Sequence, residues 1–585
     1  MPVEPAIRAR PEPDSLRSQE RTYRLYDTIA ARSRDNRIVK LLYDNFFRHA
    51  DSTINLGRVV DEGAVYERFK GKQIASVTII REGLFADPRT QMARWVGRKH
   101  GVTRRWVVHN YLLFKIGDQI DPAVMVKSKQ LLKATNIIYK TSIDITPTEA
   151  DTMMVDVTVT THDMFSIGLN LDLDVGGHSY VEIIKERFLR TDHRLTVGVS
   201  FANNPWQYGG MSAGYRLPNM LGSFFDGEVY AQKNFDTRTL RAGLSRQIIR
   251  PTDYAGGLSW VDQQTKWSLI CQDSSMVVGF KTLDGWIGGS YYLPGLKSSL
   301  FATVHSYRTD WYRRLRVEAG VNPGFADATR TLIGTGLYRE KFYTTTLIYG
   351  YGNYEYITSG YKSELVGGYS REEFGGHYYM GLDLSGASFR RNGSYIAGMV
   401  SLGTFRADDK SRRQWNRSSV ELKLNYFTPL IHVGRNHLRN LTQVDYTRGW
   451  NRMTGCDEMV RFTATDGLRG FNRYVVGRNR LVINNETVVF TRWAPYGFRI
   501  AMFGYEDLGL IGDRADIFAN QFFGTVGLGV RIHNDRLIFP SVQVRLGAFF
   551  GKPGWITGDW VSLGTQQSLH GYRFIPTPAD VVPYK

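Results

Sequence analysis

From about Phe165 to the C-terminus the helical period disappears and a two-residue period replaces it, which limits the chain more than any other feature. RLTVGVSF sets Leu195, Val197, Val199 and Phe201 against Arg194, Thr196, Gly198 and Ser200. VELKLNYF does the same with Val420, Leu422, Leu424 and Tyr426 against Glu421, Lys423 and Asn425. TVGLGVRI places Val526, Leu528, Val530 and Ile532 on one face, and SVQVRLGAFF places Val542, Val544, Leu546, Ala548 and Phe550. Such alternation makes strands with one apolar and one polar face. Soluble sandwiches carry it too, so length has to decide. Residues 166 to 585 form one unbroken β region larger than an ordinary sandwich, and no propeller-length repeat is visible. Sixteen membrane strands of about 10 residues leave room for alternately short turns and long loops. The expected fold is mainly β: a 16-stranded antiparallel transmembrane β-barrel over residues 164–550, whose closure removes the sheet edges that lipid does not tolerate.

The composition is compatible with this. No run reaches the roughly 18 to 20 apolar residues of a spanning helix, and the mean hydropathy is −0.30. The 59 glycines, 33 tyrosines, 31 phenylalanines and 12 tryptophans suit strands that end in aromatic belts. The net charge of +18 is spread along the chain instead of forming one patch, which argues against nucleic acid as a partner. The two cysteines, Cys271 and Cys456, are too few for a zinc cluster or a disulfide scaffold. Residues 1–20 lack the apolar core of a secretory signal, so an exported chain would be a mature form.

Ahead of the β region, residues 1–70 read as a proline-rich, charged leader followed by a helix from Asp14 to about Ala50. Residues 71–163 change period again: a strand at Ile74–Ile80, helices at Arg104–Phe114 and Pro122–Thr135, and strands at Ile137–Ile145 and Thr152–Thr160. This β-α-α-β-β order, with the stretch FKIGDQIDPAVMVKSKQLLKATNIIYKTSIDI, resembles a POTRA (polypeptide-transport-associated) domain.

The stretch DGLRGFNRY holds the tetrapeptide Leu468-Arg469-Gly470-Phe471. It is followed by RLVINNETVVFTRW with Glu486, YGFRIAMFGYEDLGLIGD with Asp507 and Gly509, and FFGTVGLGVRIHNDRLIFPSVQVRLGAFF. Tetrapeptide and downstream strands together resemble the Omp85 superfamily, whose members insert or translocate proteins at outer membranes. The resemblance implies a loop folded back into the barrel lumen, with Arg469 paired to Asp507 and Glu486 as a nearby acceptor. Gly470 would turn the loop tip, Phe471 would pack on the inner wall, and a partly hydrated ion pair would contribute about 1 kcal/mol. It also implies a barrel seam between the first strand, at Ile167, Leu169 and Leu171, and the last, at Val542, Val544 and Leu546. An opened seam would template incoming strands.

The function so implied is insertion or translocation of client outer-membrane or secreted polypeptides from a bacterial outer membrane. The barrel would sit in the lipid bilayer with the N-terminal domain in the periplasm. No catalysis, cofactor or metal is implied. Two departures stand out. Only one POTRA-like block is present, and residues 551–585 extend past the expected final strand, either to plug the lumen, to cap an edge, or because the final strand lies later. A passive or plugged anion-selective pore and a scaffold barrel bound to subunits of an envelope complex are the competing readings.

Other motifs carry no chemistry. Gly210-Met211-Ser212-Ala213-Gly214 formally matches a hydrolase elbow but lies in an alternating segment, not a strand-turn-helix. Asp172-Leu173-Asp174-Val175-Gly176 begins like a calcium loop and lacks the remaining ligands. The 12 histidines are scattered.

Overall fold

The computed structural model describes residues 59–83, 101–148, 153–164, 166–172, 178–203, 206–235, 237–269, 274–348, 355–408, 415–455, 458–462, 467–471, 475–493, 498–533, 541–551, 561–564 and 572–584. The expected leading helix and both cysteines lie outside these residues.

The first unit comprises β1 (Val60–Asp61), β2 (Gln73–Glu82), α1 (Arg105–Asn110), α2 (Pro122–Ala134), β3 (Ile138–Pro147) and β4 (Met154–Asp163). The β-α-α-β-β order is the one read from the sequence. Val155, Val157 and Val159 point into the core and alternate with half-buried Asp156, Thr158 and Thr160, because β4 is the middle strand, parallel to β2 and antiparallel to β3. Asp121 caps α2, its carboxylate accepting from the Ala123 amide at 2.9 Å, and Pro122 opens the helix. Met125 and Leu132 of α2 bury against Ile74, Val107 and Val108. Tyr66 and Phe69, ahead of the expected start at residue 71, join the same core. Helix α1 ends at Asn110, earlier than the expected Phe114. The chain turns there so that Leu113 can donate to the Ser128 hydroxyl of α2 at 2.9 Å and Phe114 can enter the core.

The rest is one antiparallel meander. In chain order it runs β5 (Ile167–Asp172), β6 (His178–Phe188), β7 (His193–Asn203), β8 (Trp206–Leu217), β9 (Asp226–Asn234) and β10 (Thr237–Arg246). It continues with β11 (Asp253–Leu269), β12 (Ser274–Leu293), β13 (Ser298–Arg313), β14 (Ala328–Thr345), β15 (Glu355–Glu372), β16 (Gly375–Phe389), β17 (Tyr395–Ala407) and β18 (Trp415–Phe427). After the three-residue β19 (Ile431–Val433) comes β20 (Asn436–Trp450), and a separate small ribbon pairs β21 (Val460–Arg461) with β22 (Val476–Gly477). The meander ends with β23 (Asn479–Phe490), β24 (Arg499–Gly512), β25 (Gln521–His533), β26 (Ser541–Gly551) and β27 (Val561–Gly564).

Leaving aside β1 and β19, which also join the 22-stranded sheet, twenty strands follow one another from β5 to β27 in place of the expected sixteen. The difference has a simple origin. Strands β11 to β15 run 16 to 20 residues, and segments that read as loop from composition are paired backbone. Glycines are frequent in them because inward side chains need room; at Gly334 on β14, for example, a Cβ would stand 2.5 Å from the Glu364 carboxylate.

The sidedness is the reverse of a water-soluble protein. Leu422 and Leu424 are about two-fifths exposed, while Glu421 and Asn425 beside them are buried. Leu528 is 70% exposed and Leu365 60%, whereas Thr525, Asp507, Glu364 and Gln443 are buried. The exposed apolar surface forms a continuous band over neighbouring strands. Exposed aromatics stand near strand ends: Trp206 on β8, Tyr254 on β11, Tyr312 on β13, Trp415 on β18 and Trp450 on β20. From Leu300 to Tyr312 on β13 the chain rises roughly 40 Å, and a tilt of about 45° reduces that to roughly 28 Å, the depth of a bilayer's apolar layer. Among the described residues no helix is long and apolar enough to cross a membrane.

The N-terminal unit docks at one end of the sheet. Val60 and Asp61 pair with Thr344 and Tyr343 of β14, and Glu62 accepts from Lys129 at 2.7 Å and from Thr344 at 2.9 Å. Asp163 pairs with Arg187 at the end of β6, the Tyr111 hydroxyl donates to Asp192 at 2.5 Å, the Asn219 amide donates to the Asn110 carbonyl at 3.0 Å, and Arg250 donates to the Leu113 carbonyl at 3.1 Å. These residues belong to alternate connections of the meander, so they lie at a single end of it.

Candidate functional site: an arginine clamp on the buried face

Between β20 and β23 the chain leaves the far end of the sheet and folds back onto its polar face. Gly470, at φ 78°, adopts the left-handed conformation that a side chain would resist, and the Phe471 amide closes a turn on the Leu468 carbonyl at 3.1 Å. Leu468 is fully buried. Phe471 packs edge-on against Phe462 and Phe523, at centroid distances of 5.5 and 5.4 Å. The loop is therefore wedged by two apolar residues flanking Arg469.

Arg469 is saturated with acceptors. Its Nε donates to Asp507 Oδ2 at 2.9 Å and its Nη2 to Asp507 Oδ1 at 2.6 Å, a bidentate fork. Its backbone amide donates to the same carboxylate at 2.9 Å. Nη1 donates to Glu486 Oε2 at 2.8 Å and Nη2 to the Asn485 carbonyl at 3.1 Å. The Tyr505 ring lies under the guanidinium at 4.2 Å. Glu486 also accepts from Arg531 Nη2 at 2.5 Å, and Arg531 Nε donates to Gln543 Oε1 at 3.0 Å. Two guanidiniums and two carboxylates thus make a network that ties the loop to β23, β24, β25 and β26.

The strand register explains the geometry. Asn484 stands opposite Asp507 and Glu486 opposite Tyr505, so two inward positions on β23 flank the inward Asp507 on β24. Asn484 donates to the Gly467 carbonyl at 3.0 Å, securing the loop one residue before the tetrapeptide. The pair is drier than the expected partly hydrated contact: Arg469 is 4% exposed and Asp507 0%. Gly509 accepts nothing from the arginine. It provides clearance, since a Cβ there would stand 2.7 Å from the Phe462 ring and 3.2 Å from Leu468.

Arg531 and Phe462 were not singled out by sequence reasoning. The only signal was Arg531's place on the polar face of TVGLGVRI.

The expected direct seam is corrected by the pairings. Ile167, Leu169 and Leu171 pair with β6, opposite Lys185, Ile183 and Val181. The edge of β26 away from β25 is taken by β27, which sets Val544 opposite Leu563 and Leu546 opposite Val561, while Val542 lies opposite Ile532 of β25. The chain continues past β26 into one more strand, Val561–Gly564, which lies beyond the residue-550 limit read from the sequence. Val544 and Leu546 are exposed on the apolar face.

Ser212 of the discounted elbow lies mid-strand in β8, its hydroxyl 2.8 Å from the Tyr180 hydroxyl. No cluster of metal-ligating side chains occurs among the described residues.

No family model matches the chain, and no curated protein matches it. Among solved structures it is similar to BamA from Haemophilus ducreyi lacking POTRA domains 1–3, at 8% identity over 84% of this chain and 83% of that one, with a TM-score of 0.37. It is also similar to CdiB from Acinetobacter baumannii, at 12% identity over 90% and 78% with a TM-score of 0.40. CdiB from Escherichia coli gives 12% identity over 85% and 75%, with a TM-score of 0.42. BamA and CdiB are both proteins of the Omp85 superfamily.

Proposed function

We propose that this chain is an Omp85-type outer-membrane protein that inserts or translocates client polypeptides, with its α+β unit serving as a periplasmic POTRA domain. The observation that carries the reading is the clamp: an LRGF loop folded onto the polar face of the sheet and gripped by Asp507 and Glu486 of the two strands after it. The apolar outer band supports lipid as the surrounding medium, because exposed leucines beside buried glutamates are stable only where the solvent is hydrocarbon.

In this reading the lipid bilayer and extended client polypeptides are the partners. The lateral edge in this reading lies where β27 adjoins β5. Opened there, the two strands would present backbone that an incoming strand can take up by β-augmentation. The outer edge of β3 in the N-terminal unit would hold client segments in the same manner. A passive pore is less well supported, since the loop and a C-terminal segment both cover the polar face.

Depletion of the protein followed by quantitation of outer-membrane and secreted proteins tests this. Loss of a defined set of clients, reproduced when Arg469→Ala replaces the native chain, is the expected result. Unchanged client levels with altered ion conductance would favour the pore.

A further inference from the structure

Residues Tyr572–Tyr584, YRFIPTPADVVPY, contain no helix or strand, yet they are seated as firmly as core. Phe574 and Ala579 are buried almost completely, and Tyr572 and Tyr584 nearly so. The segment contributes to each of four separate apolar clusters: Tyr572 and Phe574 beside Tyr395 and Phe427, Ile575 beside Phe301 and Tyr338, Ala579 beside Leu332 and Tyr379, and Tyr584 beside Leu468 and Phe471. Its last aromatic therefore belongs to the same apolar cluster as the clamped loop.

Strand side chains satisfy the segment's backbone, with no ladder involved. The Ala579 carbonyl lies 2.7 Å from His305 Nδ1, the Val582 amide donates to the Tyr379 hydroxyl at 2.8 Å, the Phe574 amide donates to Glu340 at 3.3 Å, and Thr358 donates to the Tyr572 carbonyl. Tyr307 donates to the Asp580 carboxylate at 3.2 Å. Arg452 lies 4.0 Å above the Tyr584 ring, whose hydroxyl donates to the Arg478 carbonyl at 3.0 Å.

The strands also make room for it. A Cβ at Gly334 on β14 would stand 2.9 Å from Ala579, one at Gly403 on β17 3.0 Å from Val582, and one at Gly449 on β20 2.5 Å from the Tyr584 ring. Three glycines on three strands clear a single path, and hydroxyl, imidazole and carboxylate groups line it at hydrogen-bond distance. Three prolines in the segment favour an extended backbone and remove three of its amide donors.

We infer that this path across the buried face is a polypeptide-binding groove, and that residues 572–584 are its resident, displaceable occupant. The ligand class that would replace the tail is an extended segment with prolines, small aliphatic residues and a terminal aromatic to reach the Arg452 pocket. The inference rests on the polypeptide-handling reading for its biological sense. A client segment entering the groove would release the tail and, through Tyr584, loosen the packing of Leu468 and Phe471.

The test uses a labelled synthetic peptide of sequence YRFIPTPADVVPY, the intact protein, and a version lacking residues 572–585, both in detergent micelles. The truncated protein, verified as folded by its heat-modifiable mobility on gels, should bind the peptide saturably. The intact protein should bind at least tenfold more weakly, and a Tyr584→Ala peptide should lose about tenfold on the truncated protein. Equal binding by both proteins, or none by the folded truncation, would overturn the groove. An independent arm needs no truncation: the Phe574 and Val582 amides, bonded to Glu340 and Tyr379, should be strongly protected from hydrogen exchange in the intact protein, and exchange at the rate of an unstructured peptide overturns the seating. Absent peptide binding with clients still lost in Arg469→Ala would sink the groove alone. Peptide binding with normal clients in Arg469→Ala would sink the transport reading alone.

Discussion

Replacing Arg469 by alanine removes the one side chain through which the loop holds both acidic strands. Asp507 is fully buried and would keep only the backbone amide of residue 469 as a donor from the loop, while Glu486 would keep Arg531. A buried charge left without its partner costs about 3 to 5 kcal/mol. The sheet itself does not need the loop, so the cost would be relieved by loop release, not by global unfolding. At 1.4 kcal/mol per factor of ten, the released population rises by about two to nearly four orders of magnitude. Hydrogen exchange resolves this, because the amides of Arg469 and Phe471 are both bonded within the seated loop. Their exchange should accelerate at least a hundredfold in Arg469→Ala, with the β23–β24 ladder still protected. Arg469→Lys, which keeps the charge and loses the fork, should fall between. Exchange within tenfold of the native protein would mean that the apolar wedge of Leu468 and Phe471, not the guanidinium, holds the loop.

Gly509→Ala inserts a Cβ 2.7 Å from Phe462, so the variant should lose about 1 to 3 kcal/mol of loop stability by the same exchange measurement while retaining the sheet's circular dichroism. Leu528→Arg separates a lipid-facing from a water-facing surface: at a site 70% exposed it should cost about 2 to 4 kcal/mol in vesicle-based unfolding, where a water-washed leucine would give close to zero. Asp163→Ala removes the carboxylate to which the buried Arg187 donates and the acceptors bonded to Thr103 at 2.9 and 2.6 Å. Limited proteolysis should then cut between the N-terminal unit and β5 far faster than in the native chain, at an estimated cost of about 3 to 5 kcal/mol.

Much of the architecture is local and therefore readable in order along the chain. A two-residue period belongs to each strand by itself, so RLTVGVSF, VELKLNYF and TVGLGVRI identify β7, β18 and β25 without any partner in view. The same holds for α2, whose Asp-Pro start announces it, and for the alternating valines of β4. The pairing of Arg469 with Asp507 and Glu486 was legible because the tetrapeptide and the two strands after it together resemble one superfamily.

What tertiary structure alone decided depends on contacts between residues far apart in sequence. Periodicity cannot tell which face is left exposed, nor count strands when glycine-rich turns and glycine-rich strands share a composition, so sixteen expected strands stand against twenty among the described residues. Only the pairing of β27 to Gln543–Leu546 takes the edge from the expected seam. Gly509 acts as clearance only because Phe462 arrives from another loop, and Arg531 joins the clamp only because the register brings it to Glu486. The tail shows this most plainly. Tyr584 lies more than a hundred residues from Leu468 and Phe471 in sequence, and only folding the sheet puts them in one apolar cluster.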